Sequence, residues 1–149
     1  MYHALSVAQF IIDYCNENNR GITNLKLQKI LYFVQAEFLV SSPMHSPCFS
    51  DTIEAWDFGP VVPAVYHHYK IYGNAIIPSD VNDVLRLSCE RISGDDRVMI
   101  ESMVNQLAKY TASQLVQFTH AQEPWKKAYI RGYNNPISNE SIRHFFEDQ

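Results

Sequence analysis

The sequence lacks the features that mark secreted and membrane proteins. Its three cysteines cannot all pair with one another, and residues 1–7 carry no signal-peptide pattern. No apolar run is long enough to span a bilayer, since Lys26, Lys29 and Glu37 interrupt the most hydrophobic stretch. We therefore expect a protein of the reducing cytoplasm, without a membrane partner.

Motifs that bind cofactors or metals are also missing. There are only five glycines, and the sequence contains neither a Gly-rich phosphate loop nor a nucleophile elbow. His67 and His68 are adjacent, so on a helix they point about 100° apart and cannot share a metal as an i, i+4 pair does. We expect no cofactor and no structural or catalytic metal.

Positive charge is scarce. The net charge is −4 at pH 7, which argues against broad binding to nucleic acid. Lys126, Lys127 and Arg131 form a modest basic group that is typical of a solvated face, and no basic helix-turn-helix face is visible. A transcriptional regulator is therefore the third choice among the function classes considered below.

What the sequence does contain is one long, apolar helical stretch, Ile22–Val40, without Pro or Gly. Thr23 or Asn24 can cap its start. One broad face carries Leu27, Ile30, Leu31, Val34 and Phe38, and much of the remaining surface is also apolar or aromatic. A helix of this kind belongs inside a bundle, with other helices on both sides.

The fold class predicted is mainly α: a compact single-domain helical bundle of residues 1–149 around this buried central helix. At most one small β element is expected, at Ile53–Phe58, where Gly59–Pro60 breaks the extended stretch. Further helices are expected from a capping box at Ser6 and Gln9, over Ala64–Ile71, over residues 81–87, after Asp95, from a capping box at Thr111 and Gln114, from Pro124 and from Ser138.

Lys29 is the unusual residue of the central helix. Its helical neighbours, Leu25, Tyr32, Phe33 and Ala36, are apolar or aromatic. A lysine in this position must either extend its amine outward to water or find a carboxylate, and helix geometry alone favours the first.

Three stretches carry a family resemblance: ITNLKLQKILYFVQAEFLV, FSDTIEAWDFGPVVPAVYHHYKIYG and ASQLVQFTHAQEPWKKA. Together they resemble the Panacea antitoxin domain, a family that includes SocA-like antitoxins and phage-associated GepA-like proteins. The resemblance spans roughly residues 5–130. It implies a mostly helical domain that neutralises a toxin encoded beside it, and a prophage or mobile-element origin.

The partner implied by this resemblance is a cognate toxin protein. Direct protein–protein inhibition is the usual expectation in the family, whereas one branch delivers its toxin to a protease as an adaptor, so that a protease or chaperone would be a second partner. The sequence is compatible with both routes.

The positions that match the family motifs give the candidate site residues. For most of them a scaffold role is the simpler expectation. Charges and aromatic anchors dominate binding hot spots, so the charged and aromatic members are also candidates for partner contacts. The candidates are Lys29, Tyr32, Glu54, Trp56, Gly59, Pro60, Tyr66, His120 and Trp125.

We further predict that Glu54 forms an ion pair with Lys29, while Trp56 packs over the central helix. An enzyme is the alternative to an antitoxin, with Lys29, Glu54 and His120 converging in a cleft as acid, base and electrostatic stabiliser. The neighbouring genes distinguish the two classes: a small adjacent gene that is lethal without this one favours the antitoxin, and an operon of metabolic genes favours the enzyme.

Overall fold

Thr23 starts the helix around which the rest of the chain is arranged. Its hydroxyl accepts a hydrogen bond from the amide of Lys26, and helix α2 begins at the next residue. The computed structural model describes residues 1–79 and 90–149. In these ranges the helices are α1 Ala4–Glu17, α2 Asn24–Ser41, α3 Pro63–Tyr69, α4 Gly94–Leu107, α5 Ala112–His120, α6 Glu123–Ala128 and α7 Asn139–Glu147, with 3-10 turns at Pro43–His45 and Lys70–Tyr72.

Helix α2 is buried on nearly every side, which confirms the predicted central helix. Helices α1, α3, α4, α5 and α7 all contact it, and so does one strand of the small sheet. Its apolar side chains form the middle of the hydrophobic core. The mainly α architecture is therefore organised by one apolar helix, because such a helix cannot lie at a surface.

A small antiparallel sheet stands against one side of this bundle. Strand β1 covers Ile53–Trp56, β2 covers Gly59–Val61 and β3 covers Asn135–Ile137, in the order β2-β1-β3. The register places Trp56 opposite Gly59, so only Asp57 and Phe58 connect β1 to β2. The predicted β element is confirmed, although Gly59–Pro60 begins a second strand instead of ending the extended region.

Capping residues set several of the helix boundaries as expected. Thr111 and Gln114 form a complete capping box at the start of α5, and the Ser138 hydroxyl accepts from the Ser141 amide at the start of α7. Helix α3 passes into a 3-10 turn that ends at Gly73, which has a φ of 57°. The helix expected over residues 81–87 lies outside the described residues.

The capping box predicted for α1 is wrong. The helix begins at Ala4, and Ser6 and Gln9 lie on its buried side. Ser6 accepts from the amide of Glu90, and Gln9 accepts from the hydroxyl of Tyr69. Tertiary contacts therefore use the side chains that local spacing had assigned to a cap. Within residues 1–79 and 90–149, no helix combines the length and the apolar character needed to cross a membrane.

Candidate functional site

The buried side of α2 carries polar residues that hold the surrounding backbone. Gln35 donates to the carbonyl of Phe49 and accepts from the amides of Cys48 and Phe49. Nearer the start of the helix, Gln28 accepts from the amide of Val62 at 2.9 Å, and Asn24 donates to the carbonyl of Tyr66. Each polar side chain thus fixes one segment that packs on the helix.

Lys29 belongs to this set, and both predictions about it are wrong. Its side chain is 0% exposed, and its Nζ donates to the carbonyl of Pro60 at 2.8 Å. Burial lowers the pKa of Lys29 to about 7. In the described part of the chain, no carboxylate reaches its amine. A strand carbonyl, which has no sequence signature, takes the role expected of water or of Glu54.

Glu54 is directed elsewhere by the pleat of the sheet. Residues 54 and 56 are two apart on β1, so their side chains share one face. Glu54 Oε1 accepts from Trp56 Nε1 at 2.9 Å, and the Trp56 ring meets the Tyr66 ring edge-to-face with centroids 5.0 Å apart. The Trp56 ring therefore contacts α3, and its packing over the central helix stays a prediction.

Gly59 is the first residue of β2 and lies directly against Lys29. Its φ is +102°, a value that side chains with a Cβ rarely adopt. A Cβ here would be 2.7 Å from Thr119 Oγ1 and 2.9 Å from Lys29 Cε. Only glycine lets the strand approach both α2 and α5 this closely, which agrees with a scaffold role for the Gly59–Pro60 pair.

A stack of three rings fixes the two-residue turn between β1 and β2. The rings of His120 and Trp125 lie 4.1 Å apart, and those of Trp125 and Tyr129 lie 4.4 Å apart. Each ring also bonds the turn or its flank: His120 Nε2 and the Tyr129 hydroxyl donate to Asp57, and Trp125 Nε1 donates to the carbonyl of Trp56 at 2.8 Å. The bond from His120 requires that its proton be on Nε2, since a carbonyl can only accept.

An open groove of about 720 Å³ lies beside this turn. We call it the aromatic groove and define it by Trp56, Phe58, Tyr66, Lys70 and Tyr133, all of which line it. Phe58 and Tyr133 are each 65% exposed. Sequence analysis missed both, although each is adjacent to a glycine, Gly59 or Gly132, and such glycines mark turns, which usually lie at the surface.

The structure thus sorts the predicted site residues into four places. Trp56 and Tyr66 line the groove, and Glu54 is bonded to Trp56. The others lie beneath the turn, behind it or deep in the core. Lys29, Gly59 and Pro60 are beneath the turn, His120 and Trp125 are behind it, and Tyr32 is in the core with its hydroxyl donating to Gln122 Oε1 at 2.8 Å.

The three groups of the alternative enzyme site do not share an open cleft. Lys29 is closed to solvent, Glu54 is bonded to Trp56, and the His120 ring is held between Trp125 and Asp57. Among residues 1–79 and 90–149, no three His, Cys, Asp or Glu side chains are close enough together to hold a metal ion.

Comparison with known proteins identifies the family to which the chain belongs. The sequence model described as "Antitoxin SocA-like, Panacea domain" matches residues 27–126, about two thirds of the chain. The chain belongs to the SocA-like Panacea antitoxin family. It is 34% identical over 129 residues to antitoxin SocA of Caulobacter vibrioides (strain NA1000 / CB15N), across 82% of this chain and 68% of that protein. No solved structure matches the chain.

The Panacea match includes three of the buried polar residues of α2, Gln28, Lys29 and Gln35. It also includes the β1–β2 turn and two members of the ring stack, His120 and Trp125. It ends before Tyr133, so one rim of the aromatic groove lies beyond the matched span. The groove is thus built partly on the family's common scaffold and partly on residues that follow it.

Proposed function

We propose that this chain is an antitoxin that neutralises a toxin encoded by a neighbouring gene by binding to it directly. Membership of the SocA-like Panacea family supports the antitoxin role. The structural observation that carries the binding role is the pair of exposed aromatic residues, Phe58 and Tyr133, beside a preformed groove. Exposed aromatic side chains on a fixed backbone are characteristic anchors of protein–protein interfaces.

The state of Cys15, Cys48 and Lys29 argues against nucleophilic catalysis by these three groups. Burial raises the pKa of the Cys48 thiol to about 12 and also raises that of Cys15. Thiols held protonated in this way are poor nucleophiles. Lys29 has an amine with a lowered pKa, but no substrate can reach it, since its side chain is 0% exposed.

Co-expression with the neighbouring gene tests the proposal. We expect the toxin to stop growth when expressed alone and growth to recover when this chain is produced with it. Direct inhibition predicts that the toxin level stays constant and that the two proteins co-purify as a complex. A toxin that neither arrests growth alone nor binds this chain would contradict the antitoxin proposal.

The same experiment distinguishes the adaptor route. If this chain delivers the toxin to a protease, the toxin level should fall on co-expression, and it should recover in cells that lack the protease. Mapping the flanking genes additionally tests the prophage or mobile-element origin that family resemblance implies.

A further inference from the structure

We infer that the toxin docks in the aromatic groove, with Phe58 as the anchor, through a segment that carries apolar side chains and a carboxylate that pairs with Lys70. This inference rests on the proposed antitoxin function and assigns its site. Three features of the groove support it: a fixed anchor, room for side chains and an uncommitted charge.

The anchor is fixed before any partner binds. Phe58 is at the tip of a two-residue turn, and its side chain is 65% exposed. The chain on its N-terminal side is held at three points. His120 and Trp125 donate to the backbone carbonyls of Asp57 and Trp56, and Tyr129 donates to the Asp57 side chain. Little free energy is therefore needed to order this loop when a partner covers Phe58.

Space for the partner lies next to this ring. The groove of about 720 Å³ can hold several side chains. Trp56 and Tyr66, packed edge-to-face, line it, and Tyr133 at the rim is as exposed as Phe58. Apolar side chains of a partner would cover all four rings, and Trp, Tyr and Phe are residue types enriched at protein–protein interfaces.

The charged residues of the groove indicate which charged group a partner should carry. Asp57 and Lys70 are the charged side chains that line it. The Asp57 carboxylate already accepts from the hydroxyl of Tyr129. Lys70 is exposed, and no described residue forms an ion pair with it. Asp57 keeps its negative charge in this bond, so the two charges of the groove balance. Lys70 is the one of the two that has no bonded partner among the described residues, and a carboxylate on the toxin is its complement.

Two substitutions in the groove and two matched controls test this site. Phe58→Ala removes the anchor, and Val98→Ala removes an apolar side chain of α4 that is 66% exposed and lies outside the groove. Lys70→Glu reverses the positive charge in the groove, and Lys109→Glu reverses an exposed charge elsewhere. Affinity for the purified product of the neighbouring toxin gene is measured by titration calorimetry, and folding by thermal unfolding.

We expect Phe58→Ala to weaken binding at least tenfold, which corresponds to about 1.4 kcal/mol, and Lys70→Glu to weaken it by about threefold to tenfold. Both controls should remain within about twofold of the wild-type affinity, and all four variants should unfold at the wild-type temperature. These side chains are exposed, so loss of binding will not be caused by loss of the fold.

Each contrary result has a separate meaning. If the wild-type chain binds the toxin and both groove variants bind it equally well, the groove is not the site, and the antitoxin function still stands. If the wild-type chain neither binds the toxin nor rescues growth, the proposed function itself is wrong. If sedimentation shows a dimer of this chain that Phe58→Ala dissociates, a second copy occupies the groove, which also overturns the inference.

Discussion

The buried surface of α2 and the rim of the aromatic groove both depart from the usual distribution of side chains, in which polar groups are exposed and apolar groups are buried. Four polar residues of α2 are buried: Asn24, Gln28, Lys29 and Gln35. At the groove, Phe58 and Tyr133 are mostly exposed. The buried polar groups all have hydrogen-bond partners, whereas most of the surface of each exposed ring is left in contact with solvent.

This difference separates the residues that maintain the fold from those available to a partner. A buried polar group costs free energy if its partner is removed, because no water replaces the lost bond. An exposed ring contributes little to folding, and its apolar surface becomes favourable only when a partner covers it. Substitutions in the first region should therefore change stability, and substitutions in the second should change binding.

Gln35→Leu should give the largest effect on stability. Leucine has a similar volume, but the amides of Cys48 and Phe49 and the carbonyl of Phe49 would lose their partner in the interior. Each buried unpaired group costs about 1–3 kcal/mol, so the loss of three partners should lower the free energy of unfolding by at least about 3 kcal/mol. Urea unfolding measures this change.

Gln106→Leu is the matched control, since Gln106 is an exposed residue of α4 that bonds only Ser102 among the described residues. We expect its unfolding free energy to stay within about 0.5 kcal/mol of the wild type. Equal losses for the two variants would mean that burial of the polar groups is not what makes α2 sensitive.

Gly59→Ala should destabilise by about 2–3 kcal/mol. The alanine Cβ would clash with Thr119 and Lys29, and the φ of +102° adds backbone strain. Gly73→Ala isolates the second contribution, because Gly73 also has a positive φ but no atom lies within 4 Å of its Cβ position. Thermal unfolding should show the larger loss for Gly59→Ala; similar losses would show that the close approach to α2 and α5 is unimportant.

The pH dependence of stability tests the burial of Lys29. Its pKa is lowered from 10.5 to about 7 in the folded state. Between these values the unfolded chain holds a proton that the folded chain has released, so stability should rise with pH by up to about 1.4 kcal/mol per unit. Below about pH 7 both states are protonated, and this contribution is lost.

The contribution of Lys29 to the pH dependence of stability is best measured between pH 7 and 9. Above this range, Cys48 and Tyr32 reverse the trend, because burial raises the pKa of both groups and the unfolded chain loses its protons first. Urea unfolding at several pH values should show a positive slope for the wild type and a flatter one for Lys29→Met. The same slope in both proteins would mean that the Lys29 amine titrates normally when folded.

Much of the helical scaffold could be predicted from the sequence because its signals are local. The apolar stretch after Thr23 and the capping residues Thr111 and Ser138 act on their own helices. Strand β3 was missed, since it covers only Asn135–Ile137 and includes a proline. Such a strand forms by pairing with β1, and nothing in its own sequence indicates that pairing.

The candidate site was less predictable, because its contacts join residues far apart in the chain. The partner of Lys29 is the backbone carbonyl of Pro60, and every residue has such a carbonyl, so the sequence does not single it out. Trp56 and Tyr66 were named as candidates from the motif, and they do line the groove. Phe58 lies inside the same motif, but its exposure depends on the tight turn that forms when β1 pairs with β2, and residue type alone does not indicate that turn.

The smallest effect is expected for Tyr133→Ser, and Tyr32→Phe gives the contrast. Tyr32 is 0% exposed, and its hydroxyl donates to Gln122, so losing that one oxygen should cost about 1 kcal/mol. Tyr133 is 65% exposed, so losing its entire ring should change the free energy of unfolding by less than about 0.5 kcal/mol. Toxin affinity should show the opposite order, with a loss for Tyr133→Ser and none for Tyr32→Phe. Urea unfolding and calorimetric titration of both variants decide the matter, and a Tyr133→Ser protein that is less stable yet binds normally would assign this ring to the fold.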